Sequence, residues 1–129
     1  MKKIWLLFAT VFALTFQANS KVGDDDTKAE FKFEKETHDF GQIKKDVHVT
    51  YKFKFTNIGE EPLIILKASA SCGCTEPKYP NNPIKKGETS FIEVTFKAPA
   101  VGPFTKSINI QSNAKSSSKL IYIKGEVIE

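Results

Sequence analysis

The chain has 129 residues with 19 lysines, no arginine and 15 acidic residues, a formal charge of +4. Arginine is the side chain suited to bidentate phosphate and base-edge contacts, and the lysines are spread along the chain as a solvated surface would have them, which argues against specific nucleic-acid recognition. The length suits one ordinary domain.

Residues 1–20 have the three-part layout of a secretory signal peptide: a basic MKK start, an uncharged apolar run of 13 residues from Ile4 to Phe16, and Ala18 and Ser20 at the small-residue positions before a cleavage after Ser20. A spanning helix needs roughly 20 apolar residues, so no membrane span is expected once the signal is removed. No cysteine lies near the cleavage point, which argues against a lipid anchor. The expected location is secreted or periplasmic, where thiols are usually oxidised. Lys2 and Lys3 leave with the signal, so 17 lysines face 15 acidic residues, a balance of +2.

Residues 21–30, KVGDDDTKAE, are polar and acidic without periodicity and read as a flexible leader, with the domain over 31–129. AEFKFEKE reads as a first strand. In DVHVTYKFKFTN, Val47, Val49, Tyr51, Phe53 and Phe55 share one face while Asp46, His48, Thr50, Lys52 and Lys54 share the other. That alternation is the mark of a strand with one buried face. PLIILKASA is more continuously apolar, as expected of a strand covered on both sides or at a sheet crossing. SFIEVTF points Ile92, Val94 and Phe96 inward, GPFTKSINIQSN does so with Phe104, Ile108 and Ile110, and LIYIKGEVI with Ile121, Ile123 and Val127 around an interrupting Gly125. Turn signals separate these runs, and Pro62, Pro80, Pro83, Pro99 and Pro103 lie in or beside them. No 3.6-residue apolar stripe occurs. The fold class is all-β, a small antiparallel β-sandwich of about seven strands. The only tryptophan, Trp5, is in the signal, and no distant cysteine pair bridges two sheets.

The order HDFGQI, YKFKFTNIGEEPLII, SASCGCT, PIKKGETSFIEVTFKAP, GPFTKSINIQSN, IKGEV resembles the secreted bacterial family known as domain of unknown function 1573, and more distantly the domains of Hydin and major sperm protein type. The match covers Phe31 to Val127. The resemblance implies an immunoglobulin-like sandwich and export in a bacterium of the Bacteroidetes kind, and no activity. The shared residues read mainly as structural. Phe40 would fill core, Gly41 would permit a tight turn after the first strand, Asn57 and Gly59 would close the strongest strand with the Asn side chain bonding local backbone, and Gly87 would turn the chain into ETSFIEVTF. "DFG" at Asp39 to Gly41 has no kinase meaning, because the glycine-rich and catalytic-loop motifs are missing.

Both cysteines, Cys72 and Cys74, flank Gly73. In an extended strand such Cα atoms sit roughly 6.5 to 7 Å apart, whereas a disulfide spans about 4.4 to 6.8 Å. A bridge therefore needs a kink, which Gly73 can supply, and so small a ring is expected to be strained and easier to reduce. Four readings stand: a structural disulfide first, then reduced half-buried thiols and a metal site on equal terms, and thiol–disulfide exchange last. Two thiolates suit Cu(I) or part of a zinc site, though zinc takes four ligands. His38 is a candidate third ligand but reads first as a turn histidine bonding backbone, and His48 lies on the polar face of its strand and reads as solvated. No Ser-His-Asp set, paired carboxylates or phosphate loop stands out. The sequence therefore points to an exported, non-enzymatic binding or scaffolding module without cofactor, for an unknown protein or envelope partner. The alternative is an envelope thiol protein using Cys72 and Cys74 for Cu(I) binding or thiol–disulfide exchange.

Overall fold

The structure is a computed structural model that describes residues 28–129; the expected signal peptide and the leader through Thr27 lie outside the described residues. Eight strands form two four-stranded sheets: β1 (Phe31–Phe33), β2 (Thr37–Lys44), β3 (Val49–Asn57), β4 (Ile65–Ala70), β5 (Thr75–Lys78), β6 (Thr89–Phe96), β7 (Gly102–Ser112) and β8 (Ser118–Ile128). One sheet has the order β1-β3-β6-β5 and the other β2-β8-β7-β4. This is an immunoglobulin-like sandwich whose first strand is split between the sheets. The chain crosses between sheets twice at the edges, once between β1 and β2 and once between β4 and β5.

Alternation builds the core. Phe53, Phe55, Ile92, Val94, Phe96, Ile108, Ile110, Ile121, Ile123 and Val127 are all buried between the sheets, and each such side chain contributes roughly 1.5–3 kcal/mol. On the outer face Thr50 meets Thr95 and Thr56 meets Thr89 through hydroxyl contacts of 2.9 and 3.0 Å. These cross-strand pairs hold the β3–β6 register.

Several expectations are corrected. Val47 is 52% exposed, because the strand begins only at Val49. Before it, a turn closed by the Val47 N–H donating to Lys44 O places Asp46 at φ 62°, a left-handed conformation that Asp tolerates. Segment 62–70 leads to a sheet crossing but is not covered on both sides: Leu63 and Ile65 are buried while Ile64 and Leu66 are 40% and 64% exposed. The strand is an edge strand, and its register shifts between Ile65 and Lys67. Ala29, assigned by composition to the leader, is fully buried, and its carbonyl accepts from Lys115 N–H at 2.8 Å.

Two strands, β2 and β5, carry no clear alternation. Strand β2 pairs in parallel with β8, the one parallel ladder among the described residues, and a register shift between Asp39 and Gln42 breaks its apolar parity. Strand β5 is the four-residue TEPK, whose Pro77 is tolerated because β5 is an edge.

Candidate functional site

The β4–β5 crossing carries the cysteines. Ser71 donates its N–H to Ser107 O at 3.0 Å and its Oγ accepts from Ser107 N–H at 3.2 Å, anchoring the loop on β7. Thr75 N–H then donates to Cys72 O at 3.3 Å, closing a turn, and Lys97 N–H donates to Cys74 O at 2.9 Å. The turn brings the Cys72 and Cys74 Cα atoms to 5.3 Å, inside the span a disulfide requires, with the two sulfurs in contact. Both residues are half-buried.

The kink expected of Gly73 is present, but it does not use glycine's freedom. Gly73 does not have a positive φ, and a Cβ there would meet nothing within 4 Å. The turn is set instead by its hydrogen bonds and by Thr75, which is buried directly across from Phe96. The Thr75 hydroxyl lies 3.6 Å from Cys72 Sγ and 3.8 Å from Cys74 Sγ. Beside it, Glu76 pairs with Lys97 at 2.9 Å, and the hydrogen bond from Lys97 holds its carboxyl below the usual range.

Cys74 forms one wall of a pocket of about 130 Å³. Its apolar lining includes Phe96 and Phe104, whose rings stack with centroids 4.1 Å apart, together with Pro99 and Val101. Lys106 completes it. Sequence reasoning missed this lysine, although the signal was there. Phe104, Lys106, Ile108 and Ile110 share one parity along β7, so Lys106 lies on the core-facing side of its strand, opposite Ile123. No carboxylate among the described residues pairs with it. A larger, open hollow of about 430 Å³ over the β2 irregularity shares Pro103 and Phe104 with this pocket but does not reach the cysteines.

His38 lies elsewhere. It sits on β2, separated from β4 by β8 and β7, about 14 Å of sheet. Its ring stacks on Tyr51 with centroids 3.7 Å apart and meets the edge of Phe40 at 4.7 Å. Nδ1 is buried without a partner, and burial, then Lys35, push its pKa below the ordinary value against the opposing pull of Asp39. Cys72, Cys74 and His38 are therefore not brought together. No group of three potential metal ligands occurs among the described residues.

The remaining sequence-selected residues are structural in placement. Phe40 packs partly against the core. Gly41, at φ +69°, lies within β2 rather than after the first strand, at the register shift, and donates its N–H to Asp39 Oδ1 at 2.8 Å. Gly87, at φ +80°, precedes Glu88, whose N–H donates to Lys85 O, the geometry of a type II turn that requires a positive φ there.

Asn57 reaches further than local backbone. Its Nδ2 donates to Glu61 O at 2.8 Å and Ile84 O at 2.9 Å, while its Oδ1 accepts from Gly59 N–H at 2.9 Å and Glu30 N–H at 3.2 Å. Gly59 is needed for space: a Cβ there would fall on the carbonyl oxygen of Lys28 and 2.5 Å from Ala29 Cα.

The family described as protein of unknown function, DUF1573, matches residues 31–127. The chain belongs to this family. Among solved structures, this DUF1573 chain is similar to a Porphyromonas gingivalis W83 protein of unknown function at 15% identity and TM-score 0.69, over 84% of this chain and 51% of that one. The chain thus spans about half the length of that protein. It is also similar to the ASH/PapD-like domain 7 of human CEP192, at 10% identity and TM-score 0.65, covering 85% and 92% of the two chains. A third likeness is to the Vibrio cholerae VesB protease, at 13% identity and TM-score 0.57, over 79% of this chain and 32% of the protease. At these identities the likeness is one of fold. No curated protein matches.

Proposed function

We propose that this DUF1573 chain is an exported, non-enzymatic binding or scaffolding domain, with Cys72 and Cys74 held as a disulfide in an oxidising compartment. The observation that carries the binding reading is an open edge. Strand β1 has only three residues and pairs with Phe55 to Asn57, so among the described residues no strand lies beside Val49 to Phe53 of β3 on that side of their sheet. Unpaired strand backbone is a template for an extended partner segment. The test is hydrogen exchange of the domain alone and in complex with protein captured from envelope extract. Slowed exchange at Val49 to Phe53 is expected; capture with no protection there overturns strand addition.

Thiol–disulfide exchange at the pair is the second reading, favoured by the pocket that Cys74 borders. The Cu(I) form of that alternative is left without its candidate third ligand, because His38 lies on β2, at the opposite edge of the sheet from β4.

A further inference from the structure

We propose that Cys72 and Cys74 form an exchangeable disulfide that captures a partner cysteine lying next to an apolar residue, whose side chain seats in the pocket bordered by Cys74. The inference rests on the second reading above and adds the class of partner. Three observations converge on it. At about 130 Å³ the pocket is well below the roughly 300–1,000 Å³ of small-molecule sites, and its stacked Phe96–Phe104 floor suits a single aliphatic side chain. Lys106 brings a positive charge to the same pocket from the core-facing side of β7, which draws in a thiolate. The buried Thr75 hydroxyl stands within 3.8 Å of both sulfurs. A disulfide sulfur is a weak acceptor, whereas a thiolate is an ionised acceptor that makes a stronger bond, so Thr75 favours the state in which the disulfide is open.

The step balances without an added oxidant. The partner thiolate attacks Cys74 Sγ from the pocket side, forming a new S–S bond as the Cys72–Cys74 bond breaks. The bonding pair leaves on Cys72 Sγ, which becomes a thiolate and accepts a hydrogen bond from the Thr75 hydroxyl, while the proton the partner thiol gave up before its attack stays in the solvent. One S–S bond replaces another, and attack by the Cys72 thiolate on the mixed disulfide reverses the capture.

The test uses the purified protein with acetyl-Leu-Cys-amide and acetyl-Gly-Cys-amide as probes. Reactions are quenched by alkylation and mixed disulfides are counted by intact mass. The leucine peptide is expected to react about tenfold faster. Val101→Glu, at a half-exposed position on the pocket, is expected to bring the two rates together. Lys106→Met is expected to slow both peptides and weaken the salt dependence of the rate, a readout that lost packing alone does not move. Equal rates for the two peptides on protein with an intact disulfide overturn the pocket assignment, and so does an undiminished leucine preference in folded Val101→Glu. A free dithiol in freshly purified protein overturns the second reading itself.

Discussion

The two ends of the sandwich are built on different terms. Strand β3 runs between them: Asn57 is its last residue, while Val49, its first, pairs with Phe96, which pairs in turn with Thr75 beside the cysteines. About 27 Å of strand separates the two ends. At the Asn57 end one amide bridges four backbone groups from three stretches of chain, and Gly59 has no room for a methyl group. At the cysteine end a Cβ added to the glycine would meet nothing, a lysine stands on the core-facing side of its strand, and a small pocket borders Cys74. Residues with no freedom mark what the fold requires. Residues that depart from the local rule without a structural need mark where function is to be sought.

The largest expected effect breaks the crowded end. Asn57→Ala leaves the Glu61 carbonyl and the N–H groups of Gly59 and Glu30 without their partner around a buried position, and takes from the Ile84 carbonyl one of its two donors, the other being Leu63 N–H. Each buried group so orphaned costs about 1–3 kcal/mol, and with partial relief by entering water the loss is about 3–5 kcal/mol. Urea unfolding followed by circular dichroism measures it. A loss below about 1 kcal/mol would erase the distinction between the two ends.

A matched pair of glycine substitutions sharpens the contrast. Gly59→Ala drives a methyl group into the Lys28 carbonyl and the Ala29 backbone, where no flexible side chain can yield, and is expected to cost about 2–3 kcal/mol. Gly73→Ala meets nothing and needs no left-handed backbone, so its effect is expected within about 1 kcal/mol of zero, on the stabilising side. Equal losses at the two sites would mean that the cysteine turn is as constrained as the Asn57 junction.

Removing both sulfurs comes next in size. A disulfide across a single residue closes so short a loop that its entropic contribution is roughly 1.5 kcal/mol, and the turn is closed in any case by the Thr75 N–H to Cys72 O bond. Cys72→Ser with Cys74→Ser is therefore expected to lower Tm by only several degrees, measured by calorimetry, with the fold intact. Collapse of the domain would make the pair a structural staple and remove the ground for a functional role.

The alternating strands were legible because their information is local. Phe53 and Phe55 against Lys52 and Lys54 fix which face is inward from neighbouring residues alone. What stayed hidden depends on distant partners. Asn57 was legible as a turn residue, but its bonds to Glu30 and Ile84 each span 27 positions and leave no local trace. Strand β2 escaped because a parallel ladder to β8 joins chain ends, and its register shift moves the apolar set from His38 and Phe40 to Ile43. Lys106 was readable from parity but was passed over, because attention to apolar positions skips the polar residue standing among them.

The smallest expected effect is a dependence on pH at the third region, the split first strand. Burial lowers the His38 pKa in the folded state below the 6.5 of an unperturbed histidine. The unfolded chain therefore takes up the proton first as pH falls, so stability is full above about pH 6.5 and declines as pH drops toward the folded-state value. The physical reason is the buried, unpartnered Nδ1 against the Tyr51 ring, which offers an imidazolium no acceptor, while Lys35 repels it and Asp39 only partly offsets both. His38→Phe keeps a ring on Tyr51 and removes the titration. Its urea midpoint is expected to change less than that of the wild type between pH 7.5 and 5.5, a window chosen above the carboxylate range. Identical slopes would mean that His38 finds an acceptor when protonated, and the junction between β1 and β2 would then have to be looser than its stacked rings imply.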